Sequence, residues 1–466
     1  MRKKMKTYVL LGMAAAMVLG MTGCQGQSGK TQEAAPGGKT EAAQAGKTEA
    51  VTEGKAETAA GKNENAAGNG ESKAEAKPEL KGELEIVTNA NEETFKAVNQ
   101  VLEKFMEENP GVKISYTTQG SDYEQLMKAR MASNDLPDIF ATHGWSVKRY
   151  SEYLRPLNDQ PWYGSIEPSF MGNIENENGE IFVLPLNMDV AGLVYNKSLL
   201  EELGVPVPGT WEEFLSICEM GKEKGYTGVF MAGKDNRQAA ALMNISAQTF
   251  IAGCTDKNYT AQLLDGTFDW NNWTPISQFL VDLKTKGYLN VDCVTCDPID
   301  IPARLSENKT LFLITSDPSL IRVVAELNPD ARYGLAPVPA LNSSYKPVFA
   351  GGEREAYGIN KDTKQEELCL EVLKYMAEPE NIKLVCESSG KRSALKDVNP
   401  DLGAVAEDYA AYADTEIYPS FDRAYLPNGM WSTMRTVGSA LIGEEMTVEE
   451  SIKTMEADYK TLREQN

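Results

Sequence analysis

The sequence predicts an α/β protein built as two lobes, with the backbone passing between them more than once and a helix-rich second lobe. Three features of the 466-residue chain carry that expectation. From Gly82 onward, short segments of alternating hydrophobicity take turns with amphipathic helical segments, the pattern of parallel βαβ units. Two apolar runs, one ending at Pro185 and one beginning at Val190, are separated by the polar step Asn187-Met188-Asp189. A chain needs such a step when it leaves one sheet, crosses a cleft and enters another. Beyond Ala350 the sequence is largely helical.

The elements follow in order. Arg2, Lys3, Lys4 and Lys6 precede the apolar stretch Tyr8 to Met21 and then Thr22-Gly23-Cys24. A positive region, an apolar region and small residues before a cut make residues 1–23 a secretory signal. Met21-Thr22-Gly23-Cys24 resembles the lipobox of bacterial lipoproteins, with Met21 where Leu is usual. The resemblance implies that Cys24 is lipidated and becomes the first mature residue. Residues 24–81 are low in complexity, rich in Ala, Gly, Glu, Lys and Thr, with almost no large apolar side chain. Such a segment cannot bury enough surface to offset its ordering entropy and is expected to be disordered. As a tether it spans roughly 40 Å.

Leu84, Ile86 and Thr88 alternate as a first strand, and Glu92 to Glu108 puts Phe95, Val98, Leu102 and Phe105 on one helical face that ends at Asn109-Pro110. Val112, Ile114 and Tyr116 form a second strand, Asp122 to Ser133 a helix, and Ile139-Phe140 opens a third strand. Asn196 caps a helix over Lys197 to Leu203 that Gly204 stops. Thr210 and Glu213 form a capping box for the next helix. Strands are expected at Thr227 to Met231, Thr310 to Ile314 and Ala356 to Ile359. Helices are expected around Gln238 to Ile251, Ile276 to Lys286, Lys364 to Met376, Pro379 to Cys386, Leu402 to Tyr412, Trp431 to Leu441 and Val448 to Leu462.

The net charge is −22, with 68 acidic against 46 basic residues, so nucleic acid is not an expected partner. After Cys24, six cysteines remain. Cys293 and Cys296 have metal-ligand spacing, but no second pair or nearby histidine completes a site, which leaves a disulfide or loop thiols. His143 is the only histidine, which excludes a two-histidine zinc site and leaves one possible centre for a Ser-His-Asp triad. No residue set calls for a metal or a cofactor.

The segment Phe182 to Phe214 reads FVLPLNMDVAGLVYNKSLLEELGVPVPGTWEEF. Its LPLN-x-D-x-x-GLVYNKSLLEELGV pattern resembles the family 1 extracellular solute-binding proteins, the carbohydrate-binding lipoproteins of ABC importers. The similarity runs from about Gly82 to the C-terminus and includes Glu378-Pro379-Glu380 and Ser389-Gly390-Lys391-Arg392. It implies a periplasmic-binding-protein-like fold of type II, with a mono- or oligosaccharide held between the lobes and passed to membrane permease subunits. It also implies a monomer anchored on the outer face of the cell membrane. On this reading the first lobe comprises 82–188 with 311–353, and the second 189–310 with 354–466. The crossings fall near Asp189, around Ser306 to Leu311 and at Arg354-Glu355.

A sugar offers paired hydroxyls and an apolar C–H face, so its site needs carboxylates or amides beside an aromatic platform. Ligands of α/β sheets sit beyond the carboxyl ends of the strands. This points to Asn89 and Glu92, and to His143 and Trp145. Asn187 and Asp189 lie at the polar step, and Asp235 follows a strand end. Asp317 stands where the family often has Trp, and serves as a ligand contact or a helix cap. Gly351 and Gly352 allow close backbone approach, with Glu353 after them, and Trp431 is a second platform. Two rival readings remain. A glycoside hydrolase would pair Asp189 with Asp317 or Glu353, and a ligand sensor for a membrane receptor would share the fold.

Overall fold

The computed structural model describes residues 79–465, apart from 169–170, 254–257, 316 and the side chain of Ser121. The secretory signal, Cys24, nearly all of the tether and Cys254 lie outside the described residues.

In chain order the strands are β1 (Gly82–Thr88), β2 (Val112–Thr118), β3 (Ile139–Ala141), β4 (Leu184–Pro185), β5 (Asn187–Asn196) and β6 (Thr227–Val229). They continue with β7 (Thr310–Thr315), β8 (Tyr333–Ala336), β9 (Phe349–Glu353), β10 (Ala356–Ile359), β11 (Arg392–Ser393) and β12 (Ile417–Pro419). Among the described residues they form two sheets. The first has the order β2-β1-β3-β10-β4; the second runs β12-β9-β5-β7-β6, with β8 and β11 also paired to β5. β1, β2 and β3 are parallel, as the alternation of strands and helices implied, and β10 is antiparallel to β3 and β4.

Local signals place the elements well. Asn91 Oδ1 accepts from Thr94 N at the start of the helix Glu92–Glu108. Asn196 caps Lys197–Leu203, with Gly204 left-handed at φ 68°. The capping box of Thr210 and Glu213 is fully formed before Trp211–Glu223. Side-chain alternation in β5 is equally regular. Val190 and Val194 face one hydrophobic core, while Ala191, Leu193 and Tyr195 face another. The first core continues from beneath the first sheet, through the crossing, onto one face of the second sheet. The second core lies between the other face and the C-terminal helices.

Three expectations need correction. The polar triplet is not a gap between strands, because Leu186 alone separates β4 from β5, and Asp189 already pairs with Gly352. Neighbouring backbone satisfies the triplet on both sides, so the chain stays extended through the crossing. The allocation of the later segments is also reversed. β7, β8 and β9 pair in the second sheet, so 311–353 does not complete the first lobe. β10 pairs in the first sheet, and the helices Glu366–Met376 and Pro379–Ser389 after it pack on Glu92–Glu108. No crossing occurs at Ser306 to Leu311, since β7 pairs only with β5 and β6, both of the second sheet. The chain crosses at Leu186–Asp189 and at Arg354-Glu355. Arg392–Ser393 pairs with the first crossing at Met188 and Asn187, Leu395 still pairs with Ile166, and the chain crosses a third time beyond it. A strand's partner depends on the free edge and face its register fits, and neither is a local property.

Candidate functional site

At the carboxyl end of β3 the chain turns sharply: His143 takes φ 52° and Gly144 φ 85°. The turn aims Trp145 outward and starts a short helix, Ser146–Tyr150. One turn further on, Arg149 lies back over the indole, its Cζ 4.1 Å from the ring centroid. From the second lobe, Arg423 reaches past Gly144, where a Cβ would collide with its guanidinium. It donates to the His143 carbonyl at 3.1 Å, and its Cζ stands 5.1 Å from the Trp145 ring. Arg149 crosses the other way and donates to Asn428 Oδ1 at 2.8 Å. These residues border a groove of about 610 Å³ whose far wall is Arg237, Ala241, Asn244 and Ile245, one face of the helix Arg237–Ala247, together with Trp431. Asp189, Ala350, Gly351, Arg354 and Asp422 complete it.

The groove mixes polar and apolar surface in about equal parts. Its guanidiniums, carboxylates and side-chain amides can each engage two neighbouring hydroxyls, and two indoles offer apolar faces. His143 Nε2 lies 2.6 Å from Arg354 Nη1. Burial, and then the Arg354 and Arg423 charges, hold this imidazole well below its ordinary 6.5. It is therefore neutral, its Nε2 accepts from Arg354, and its proton sits on Nδ1, which is buried without a partner. Withdrawal from solvent pushes the Asp422 carboxyl up.

A smaller cavity of about 250 Å³ adjoins the groove and shares Gly351, Ser420 and Arg423 with it. Gly352 and Glu353 line this second space. Glu353 Oε1 accepts from Ser146 N and Oγ at 3.3 and 2.8 Å, and burial pushes its carboxyl up. Gly351 sits where β9 presses on β5, and a Cβ there would strike the Asp189 carbonyl.

Of the residues singled out from sequence, His143, Trp145, Asp189, Gly351 and Trp431 line the groove, and Gly352 and Glu353 line the cavity beside it. The other five border neither. Glu92 is exposed in the first turn of its helix and pairs with Lys96. Asn89 Oδ1 is buried without a partner just beyond β1. Asn187 is buried, its amide donating to Ser389 Oγ at 3.0 Å and accepting from Glu355 N at 2.9 Å, so its polarity serves the crossing. Asp235 pairs with Arg237, which itself reaches the groove. Asp317 caps the turn at Ser319 and lies 3.5 Å from Lys391. Lys391 in turn pairs with Asp189 at 2.9 Å and is only 11% exposed. Burial works against its ammonium, but Asp189 and then Asp317 hold it above the ordinary value.

Arg149, Arg354, Arg423, Asp422, Asn244 and Asn428 were not anticipated as contacts. Arg149 stands four residues after Trp145, which was a readable signal. Arg237 and Asn244 share their helix with Gln238 and Ser246 and do not stand out by polarity alone. Arg423 sits in the five-residue helix Phe421–Tyr425 and Asn428 in the turn after it, segments too short to show a pattern of their own.

Among the described residues no group of three or more His, Cys, Asp or Glu is placed to hold a metal. Cys218, Cys293, Cys296, Cys369 and Cys386 are buried free thiols, so the Cys293 and Cys296 pair is a thiol pair in this structure. No helix among those residues is long and apolar enough to cross a membrane.

Residues 89–383 match the family model for bacterial extracellular solute-binding proteins. The chain is 32% identical over 382 residues to the melibiose/raffinose/stachyose-binding protein MelE of Bacillus subtilis, covering 81% of this chain and 88% of that one. A Bacillus subtilis binding protein in an open conformation superposes with a TM-score of 0.80 at 32% identity, over 83% of this chain and 98% of that one. A Bacillus licheniformis sugar transporter protein in complex with stachyose gives 0.74 at 30%, over 82% of this chain and all of the other (100%). These likenesses, and the two-lobed α/β architecture around one interlobe groove, agree on a single assignment: the chain belongs to the bacterial extracellular solute-binding proteins.

Proposed function

We propose that the protein captures a sugar in the interlobe groove and delivers it, chemically unchanged, to the membrane permease of an ABC importer. The observation that carries this reading is the groove itself. It sets Trp145 and Trp431 among arginines, carboxylates and amides drawn from both lobes, the combination a polyhydroxylated ring requires. The ligand class is an oligosaccharide of the melibiose, raffinose and stachyose series, on the strength of the relatives named above. His143, Trp145, Asp189, Gly351 and Trp431 contact it together with Arg149, Arg354 and Arg423. Hinge closure about the crossings, a motion general to such two-lobed binders, traps it.

A carrier role is supported over hydrolysis by the state of the acidic groups. Asp189 is ion-paired to Lys391, and Glu353 is held by Ser146 in the neighbouring cavity. A glycosidase needs two carboxyl groups flanking a single bond, one protonated and one ionised. Asp317 and Glu353, the partners weighed for Asp189, both lie outside the groove that Asp189 lines. Lipidated Cys24 holds a monomer on the outer membrane face, with 24–81 as its tether, and the first lobe takes 82–186 and 356–395.

Isothermal titration of the protein with melibiose, raffinose and stachyose tests the reading. Saturable 1:1 heats and intact sugar afterwards are expected. Heat from peptides or amino acids alone would overturn sugar capture, and shortened products would establish the hydrolase instead.

A further inference from the structure

We propose that the smaller cavity is a second saccharide subsite, separated from the main groove by the Arg423 side chain, which houses the units by which a longer oligosaccharide exceeds a disaccharide. The inference rests on the sugar-capture reading and extends it to chain length.

The two spaces meet along a short common wall of Gly351, Ser420 and Arg423. Two of those residues have little or no side chain, so Arg423 is the partition. Its guanidinium holds one backbone carbonyl, that of His143, and no carboxylate of the described residues pairs with it. Its other N–H groups are available to hydroxyls on either side. The smaller space, at about 250 Å³, falls just below the usual size of a small-molecule site, about 300–1,000 Å³. The groove, at about 610 Å³, lies within that range. The smaller one therefore makes sense as an extension of the groove. Both are interlobe spaces: Gly144, Val147 and Asn173 come from the first lobe, Pro419 and Tyr425 from the second.

The lining has unused hydrogen-bonding capacity. Asn173 Nδ2 is buried without a partner, an arrangement that costs about 1–3 kcal/mol unless something occupies it. Both Ser146 bonds land on Oε1 of Glu353, which orients the carboxyl at the cavity wall. A Cβ on Gly352 would meet only the Asn173 amide, 4.0 Å away, so the β9 backbone is bare to the cavity. The Tyr425 ring supplies an apolar face. An acceptor, a donor, open backbone and one aromatic form a miniature of the main groove's chemistry.

Two variants that touch only this cavity test the proposal. Asn173→Ala removes the unpartnered donor. Gly172→Phe adds bulk at a lining position whose Cβ has nothing within 4 Å, so the fold tolerates it. Titrations use the disaccharide melibiose and the tetrasaccharide stachyose. Asn173→Ala is expected to weaken stachyose about threefold to tenfold, as one hydrogen bond does. Gly172→Phe is expected to weaken it by at least about tenfold, or 1.4 kcal/mol. Melibiose affinity stays within about twofold of wild type in both. If the two sugars shift together, or neither shifts, the subsite is overturned while sugar capture stands. If the wild-type protein binds neither sugar, sugar capture itself fails and the subsite falls with it.

Discussion

The backbone crossing and the groove beside it are both lined with polar side chains, yet their hydrogen bonds end in different places. At the crossing, Asn187 is bonded on both atoms of its amide, and its carbonyl takes Arg354 N at 3.1 Å. Lys391 spans Asp189 and Asp317, carried on different segments, at 2.9 and 3.5 Å. These groups hold one another within the chain's own framework, with Asp189 and Arg354 among them also lining the groove. In the groove, Arg149, besides its ion pair with Glu124 at 3.2 Å, instead holds an exposed amide of the opposite lobe, and Arg423 holds a backbone carbonyl of the lobe opposite it. A sugar hydroxyl can replace such a partner at little cost, because one neutral acceptor is exchanged for another. Polarity between two lobes thus has two uses. It locks the path of the chain, or it waits for a ligand, and only the identity of the partner tells which.

The sharpest attempt to break this contrast is Lys391→Ala. It strands the carboxylate of Asp189, 17% exposed, and is expected to lower the unfolding free energy by about 3–5 kcal/mol in denaturant titration. A loss below about 1 kcal/mol would class this ion pair with surface pairs and erase the distinction. Next in size is Trp431→Ala, where loss of an aromatic anchor should weaken sugar binding by about 2 kcal/mol or more. Its counterpart Asn187→Ala should cost about 1–3 kcal/mol of stability and leave the affinity of the folded protein unchanged. If Asn187→Ala weakened binding as much as Trp431→Ala, the crossing would be part of the ligand site.

The smallest effect sharpens the comparison through pH. The folded His143 is held below 6.5, so its contribution to stability is complete above that pH and is lost as pH falls through the interval beneath it. Burial holds Glu353 and Glu355 above 4.5, so their sign is opposite: stability is lost as pH rises past 4.5 through their folded values. Between pH 4.5 and 6.5 the two effects therefore oppose each other. His143→Gln should make stability fall more steeply with rising pH in that window, by up to about 1.4 kcal/mol per pH unit. Because the chain has one histidine, its imidazole resonances can be read directly. They should not titrate near 6.5, and a midpoint there would mean that water and not Arg354 surrounds the ring.

The sequence by itself determined whatever is settled within a turn or a few residues: the caps at Asn196 and Thr210, the stop at Gly204, and the strand-end position of His143 and Trp145. The long ordered motif from Leu184 to Val205 also declared the family. Tertiary structure alone decided that β7 joins the second sheet and β10 the first, and that Asn187 serves the crossing while Asp189 faces the groove. It alone brought Arg149 to Asn428, 279 residues away, and Arg423 to His143, 280 residues away. The reason is physical. A cap or an amphipathic face is satisfied by its own neighbours, whereas an edge strand or a guanidinium is satisfied by whatever the folded chain sets opposite it, and that choice is made only when all the parts meet.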